Sequence, residues 1–536
     1  MQLSITPDIA VKANRHGQHG GAVISTKRVI VIGAGMGGLA AAIDLAGQGL
    51  DVTVLERASA PGGKVREVMV GDRPVDAGPT VFTMRWVFDA LFDAAGERLE
   101  DSLALKKATT LARHAWDGEQ TLDLFADAAR SADAIGAFAG ANEAKGYLAF
   151  CAEARRMYQA LERPFLQHGR RSTLGLLASV GLRRTLRLKP FELMWAELGK
   201  HMQDKRLRQM FGRYASVCGT SPFQAVATMM MVAHIEQDGV WFVEGGMQRV
   251  AEAMAALAIR RGATIRYDSH VSEVIVAQGR AAGVRLAGGD AIAADAVVLN
   301  GEPGALGAGL FGEPARAAGV PVVKFPQRSL SHNTWAAIAE PSGMPLLRHT
   351  VFFSSDPQTE FRLIGNGLLP TEPTTYVCAQ DRANPDDPAP SGPERLLLSV
   401  NAPPNGDRRA FSQVEIDQCM QGINSLMQRC GVRMRLVERP VMSTPALYHR
   451  MFPGIGGAIY GAAALGGTAS LKRPGSRTRL EGLHLAGGST HPGPGMPLAT
   501  LSGRLAASSV VQDLVQSRGL TGLFLTGAMP GGMLTP

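Results

Sequence analysis

The sequence predicts an α/β protein: a Rossmann-like nucleotide-binding domain, a discontinuous second domain of mixed α+β character, and a long helical region between its parts. Two observations predict it. Residues 29–57 read VIVIGAGMGGLAAAIDLAGQGLDVTVLER, a strand, glycine turn, helix, second strand and terminal acid in one uninterrupted unit. Much later, residues 483–497 read LHLAGGSTHPGPGMP and run into a small-residue helix over 499–511, a second glycine-rich strand–turn–helix.

Taking the elements in order, the apolar strand 29–32 delivers the chain to Gly33, Gly35 and Gly38. This is the G-x-G-x-x-G turn, in which missing side chains let the backbone approach a pyrophosphate and let the helix pack on the strand. The helix N-terminus offers unpaired N–H donors and the positive end of its dipole. Residues 51–55 form the second strand, and Glu56 follows Gly38 by 18 residues, where a carboxylate accepts hydrogen bonds from a ribose. Gly62, Gly63 and Lys64 come next, and then Asp76-Ala77-Gly78-Pro79-Thr80.

On these residues the chain resembles the flavin-dependent amine oxidase and carotenoid desaturase superfamily, in which the double glycine continues the FAD site. The resemblance implies an FAD-binding domain of the flavin amine oxidase superfamily, a discontinuous α+β substrate domain and a helical membrane-associating region. It implies boundaries at 28–100, 239–300 and 476–515 for the FAD domain, 101–238 for the helical region and 301–475 for the substrate domain. Residues 1–27 stand as a mobile leader and 516–536 as a tail.

Composition narrows the function class. Of the 536 residues, 45% are hydrophobic and 19% charged, which fits a large buried core. The net charge of +8 permits nucleic-acid binding, yet no zinc-ligand spacing, RNA-recognition motif or basic zipper accompanies it. An anionic lipid surface is the better partner, and nucleic acid is not expected. Cys151, Cys218, Cys378, Cys419 and Cys430 are scattered and never spaced C-x-x-C, as befits reduced thiols. No metal-ligand motif is present, and no apolar run is long enough to span a bilayer; the nearest, 225–233, falls well short.

Within the helical region, 86–95 has helical periodicity and 181–190 sets Arg183, Arg184, Arg187 and Lys189 among leucines. Basic residues beside apolar ones suit a membrane surface, although a solvated helix face reads the same way. Residues 223–231 end in three methionines, expected to line or border a tunnel, with Met229 and Met231 the positions that test it, although a buried Met-rich core helix reads the same way. After a second double glycine at Gly245-Gly246, residues 247–260 form an amphipathic helix. Short strands follow at 263–267, 271–276, 283–286 and 295–300. The resemblance puts a backbone contact to adenine at Val274. Residues 384–393 form a proline-rich surface loop between elements of the substrate domain.

The closing segment is the second strong signal. Its Thr490-His491-Pro492-Gly493 core is similar to the turn that lies against the flavin in bacterial-type carotenoid desaturases, and Gly487, Gly488 and Met496 join the FAD site by that resemblance. His491 is the one side chain there that suits proton transfer. Bracing the turn suits it equally, so the catalytic residue stays open. Arg85 and Trp86 either shape the substrate end or merely pack.

Amine oxidases of this superfamily carry an acidic residue after the closing Ala-Gly and an aromatic cage for the amine. Here Gly488-Ser489 and a turn free of aromatics replace them, which argues against an amine. Residues 63–71 and 76–86 look most like the 1-hydroxycarotenoid 3,4-desaturases. The resemblance implies a carotenoid substrate, hydride transfer to flavin N5 and loss of a proton from the neighbouring carbon, at the cytoplasmic face of the bacterial inner membrane. Alternatives are a desaturase of phytoene or another acyclic carotene, a redox-neutral flavin-dependent isomerase, and a prenyl-binding chaperone of the same architecture. No feature sets an oligomeric state.

Overall fold

The computed structural model describes residues 27–118, 120–169, 188–325, 327–466 and 472–516. Arg183, Arg184 and Arg187, nearly all of the expected leader and nearly all of the tail lie outside them.

Five parallel strands form the nucleotide sheet, in the spatial order Thr264–Arg266, Asp51–Leu55, Arg28–Ile32, Ala296–Leu299 and Leu483–Leu485. Their near-continuous apolar sequences suit a sheet covered on both faces. Val29, Val31, Val52 and Val54 pack under the helices Met36–Gly47, Gln248–Arg260 and Met496–Gln516. Ile30, Ile32 and Val297 point the other way, onto a three-stranded antiparallel sheet, Val271–Ala277, Arg280–Leu286 and Ala291–Ala293. The sheet is therefore assembled from separated stretches of chain.

The glycine helix and the closing helix touch backbone to backbone. A Cβ on Gly503 would stand 2.0 Å from the Gly37 carbonyl oxygen, so only glycine permits this approach.

The stretch 101–238 is not uniformly helical. Thr110–Trp116 and Gln120–Phe125 form a hairpin that extends the sheet of the substrate domain. Thr110–Trp116 is buried at six of its seven positions, so no polar–apolar alternation marks it as a strand. The missed signal was Asp117-Gly118, a hairpin turn between β-prone segments.

The substrate sheet runs Val432–Leu436, Ser331–Gly343, Glu394–Ala402, Thr375–Ala379, His349–Phe352, Thr110–Trp116, Gln120–Phe125, with Val441–Ser443 beside the second of these. Since alternate residues share a face, the register sorts its side chains. Trp335, Leu398, Val377, Phe352 and Ala115 pack with helix Gln413–Arg429 behind the sheet. Thr334, Ser399, Tyr376, Val351 and His114 lie side by side on the opposite face. There Val351 and Tyr376 join the core shared with the nucleotide domain and the helices.

Candidate active site

Glycines build the nucleotide cradle by close approach. A Cβ on Gly33 would lie 2.9 Å from the Asn300 carbonyl oxygen, one on Gly35 2.9 Å from Asn300 Nδ2, and one on Gly38 2.0 Å from the Gly33 carbonyl oxygen. A Cβ on Gly487 would sit 2.9 Å from Asn300 Oδ1. Asn300 thus stands where the ends of three parallel strands converge, and its Nδ2 donates to the Gly33 carbonyl oxygen at 3.2 Å. The sequence reading treated Asn300 as the end of a strand only. No motif marks it, because its role follows from its three-dimensional position between the two glycine turns.

Glu56 is buried and its carboxylate accepts hydrogen bonds from the backbone N–H of Ala34 (2.7 Å) and Ala58 (2.9 Å). The double glycine closes on the same turn: Gly62 donates its N–H to the Ala34 carbonyl at 2.8 Å, and a Cβ on Gly63, at φ +61°, would face Gly35 at 3.5 Å. Lys64 reaches across to the substrate domain, donating to Glu302 Oε1 at 3.1 Å and to the Ile459 carbonyl at 2.9 Å. Asp76 accepts the N–H of Met247 at 2.8 Å and of Gln248 at 3.3 Å, which fastens the second double glycine beneath the first. Burial raises the carboxyl pKa of Asp76 against those hydrogen bonds.

The closing turn completes the cradle. Gly487 donates its N–H to Ser502 Oγ at 3.2 Å, and buried Met496 opens the closing helix. Arg473, which no motif announced, is buried and donates to the carbonyls of Gly488 (3.1 Å), Tyr460 (2.9 Å) and Ala462 (3.0 Å). Burial pulls its pKa down to about 10.

The structure gives each of three remaining candidates definite partners. The N–H of Val274 is donated to the Phe311 carbonyl at 2.9 Å and its side chain lies in the core beneath the sheet. The backbone beside Glu56 is Ser269, whose N–H reaches the Glu56 carbonyl at 2.8 Å. Arg85 turns outward to Asp89 and Glu100, because its position at the start of helix Arg85–Ala94 lies on the solvent side. His491 is buried with its ring edge-on to Phe165, centroids 4.8 Å apart, and its Nε2–H donates to the His168 carbonyl at 2.9 Å. That is the geometry of a brace between the closing turn and the helical region.

A flavin dinucleotide fits these residues. The glycine helix has neither a side-chain N-cap nor an acidic residue in its first turn, leaving its N–H donors to an anion. Ser489 Oγ and Thr490 Oγ1 are buried beside Gly487 and Gly488 with no hydrogen-bond partner among the described residues, as polar atoms awaiting a ligand would be.

Opposite the cradle lies the inner face of the substrate sheet, and its polarity was not foreseen. The hydroxyl of Tyr376 is 2.7 Å from both Thr80 Oγ1 and His349 Nδ1. His332 Nδ1 is 2.9 Å from Ser399 Oγ. Burial holds these histidines neutral, His332 at about 4 and His349 at about 3.

This arrangement defines a flavin-dependent oxidoreductase, and the chain belongs to the flavin containing amine oxidoreductases, whose family model matches residues 36–511. Its cofactor is FAD. Within the family it is similar to a hydroxyneurosporene desaturase of Rubrivivax gelatinosus, 49% identical over 94% of this chain and 97% of that one. A hydroxyneurosporene desaturase of Rhodobacter capsulatus is 41% identical over 91% and 98%. Among solved structures, putrescine oxidase bound to putrescine shares the fold with a TM-score of 0.57 at 14% identity, over 91% of this chain and 99% of that one.

Proposed function

We propose that the protein is an FAD-dependent desaturase of acyclic carotenoids that introduces the C-3,4 double bond into a substrate with a 1-hydroxy or 1-methoxy end. The observation that carries this reading is the 49% identity to a hydroxyneurosporene desaturase, spread over nearly the whole of both chains. Bound FAD supplies the acceptor for the two electrons that leave the C–C bond.

The chain's own residues supply alignment and a dry site, and orientation of this kind is worth about 7–11 kcal/mol at best. The substrate domain and the helical region are held to the cradle by the Lys64 donation to the Ile459 carbonyl and by the His491 brace. Met229 and Met231 are partly buried against the core that this face shares, where flexible thioethers suit a polyene. In this reading His491 is a positioning residue.

Access to a water-insoluble substrate points to peripheral attachment at the cytoplasmic face of the inner membrane. Among the described residues no helix is long and apolar enough to cross a bilayer. Phe191 and Leu193 are 82% and 48% exposed beside the expected basic stretch, which supports attachment there.

The test supplies the FAD-loaded protein with 1-hydroxyneurosporene and phytoene separately in liposomes. Loss of two hydrogens and a red shift from the hydroxylated carotenoid is the expected result. Conversion of phytoene alone assigns an earlier substrate, and a product of unchanged mass assigns isomerisation.

A further inference from the structure

Helix Lys205–Ser216 meets the end of the substrate sheet, and one residue fixes the contact. The amide of Gln209 accepts from Trp116 Nε1 at 3.1 Å and donates to the Ser354 carbonyl at 2.8 Å, which ties that turn to the strands Thr110–Trp116 and His349–Phe352. Arg213, four residues on, shares the helix face with Gln209. It therefore faces the same end of the sheet, and its positive charge acts on His114, His349 and Tyr376.

Arg213 forms no ion pair and no side-chain hydrogen bond among the described residues, and its Nε is buried without a partner. A cation left unmatched inside a protein is costly. A second polar atom within the field of that charge is equally unmatched: His349 is buried, and its Nε2 has no partner among the described residues. The contacts around that ring admit two tautomers, and the neighbouring positive charge favours the one with a lone pair at Nε2. In that form Tyr376 donates to Thr80 and His349 Nδ1–H donates to the Tyr376 hydroxyl. The site then offers N–H donors from Arg213 and an acceptor at His349.

This chain of contacts starts at the cradle. Gly78 lies against Lys64, its Cβ position 2.2 Å from the Lys64 carbonyl oxygen, and Thr80 follows two residues later. The donor and acceptor therefore stand on the substrate side of the flavin site, within reach of the end of a molecule whose reacting bond lies next to the cofactor.

We propose that Arg213 and His349 form a subsite for the hydroxyl oxygen at the substrate terminus, the guanidinium donating to it and His349 Nε2 accepting its proton. This rests on the reading of the substrate as a hydroxylated carotenoid. A hydroxyl satisfies both groups, a methoxy oxygen only the arginine, and a hydrocarbon neither. Sites built to hydrogen-bond a hydroxyl reject analogues lacking it, because their own buried polar groups are left unpaired.

The experiment compares kcat/KM for 1-hydroxyneurosporene and for 1,2-dihydroneurosporene, the same saturated end with hydrogen in place of the hydroxyl, in wild type, Arg213→Leu, Arg213→Lys and His349→Phe. Both substrates are measured on one FAD-loaded preparation, so a partly misfolded variant cancels from the ratio. The ratio is expected to fall about tenfold to a hundredfold in Arg213→Leu and His349→Phe, with partial recovery in Arg213→Lys. A ratio that stays within about twofold of wild type in Arg213→Leu and His349→Phe overturns the subsite while leaving the substrate reading standing. Wild type that fails on the hydroxylated carotenoid overturns the substrate reading, and the subsite falls with it.

Discussion

The cradle and the inner face of the substrate sheet bound the same site and are built on opposite terms. In the cradle side chains such as Glu56, Asn300 and Arg473 bind main-chain groups, and glycines let the backbone close in: Gly33, Gly35, Gly38 and Gly487 all crowd around Asn300. On the sheet face the work falls to side chains from distant segments, Thr80, His114, Arg213, His349 and Tyr376, several of them with unmet polar atoms. Binding a cofactor shared by many enzymes calls for a surface fixed by main chain. Choosing one substrate calls for groups that substitution can change.

The largest expected effect breaks the cradle. A Cβ on Gly37 would lie 2.8 Å from Asn300 Oδ1, 2.9 Å from the Ala499 carbonyl oxygen and 2.9 Å from the Gly487 nitrogen. Gly37→Val is expected to abolish flavin retention and to destabilise the fold by about 3 kcal/mol, the upper end of ordinary overpacking. Flavin absorbance of the purified protein and its urea midpoint check both.

Behind the substrate sheet the comparison extends to a buried acid. Burial raises Glu360 from 4.5 to about 7 against hydrogen bonds from Thr374, whose hydroxyl donates to it at 2.7 Å, and from Asn401. The folded state keeps this proton to higher pH than the unfolded chain does. Stability is therefore full below pH 4.5, declines as pH rises to about 7 and levels off above it. Across that window Glu360→Gln is expected to flatten a slope of about 3 kcal/mol, read from melting temperatures in a pH series. A slope that survives the substitution removes Glu360 as its source.

Asn300→Ala sharpens the cradle side. It deletes the hydrogen bond to Gly33 while relieving crowding, so a cost of about 1–2 kcal/mol and weaker flavin binding are expected by titration. An unchanged affinity would mean that the glycines alone hold the turn. The smallest effect lies at the surface: Phe191→Ser is expected to reduce co-sedimentation with anionic liposomes several-fold while leaving flavin content untouched.

What the residues disclosed in advance follows the same division. Strand 51–55, the glycine turns and the closing helix were legible because their chemistry is local, a few residues apart in sequence. The hairpin 110–125 was not, since burial on both faces erased its alternation. The pairing of Tyr376 with Thr80 and of Arg473 with Gly488 spans long separations that no periodicity records.

The contact between Gly37 and Gly503 also has a consequence for biosynthesis. The glycine helix emerges from the ribosome early, yet the strand Leu483–Leu485 and the helix that seals it come last among the described elements. Through most of translation the first dinucleotide turn waits with an open sheet edge and an uncovered apolar flank, the kind of surface that invites misassembly. The cradle is thus complete only once the final helix has arrived.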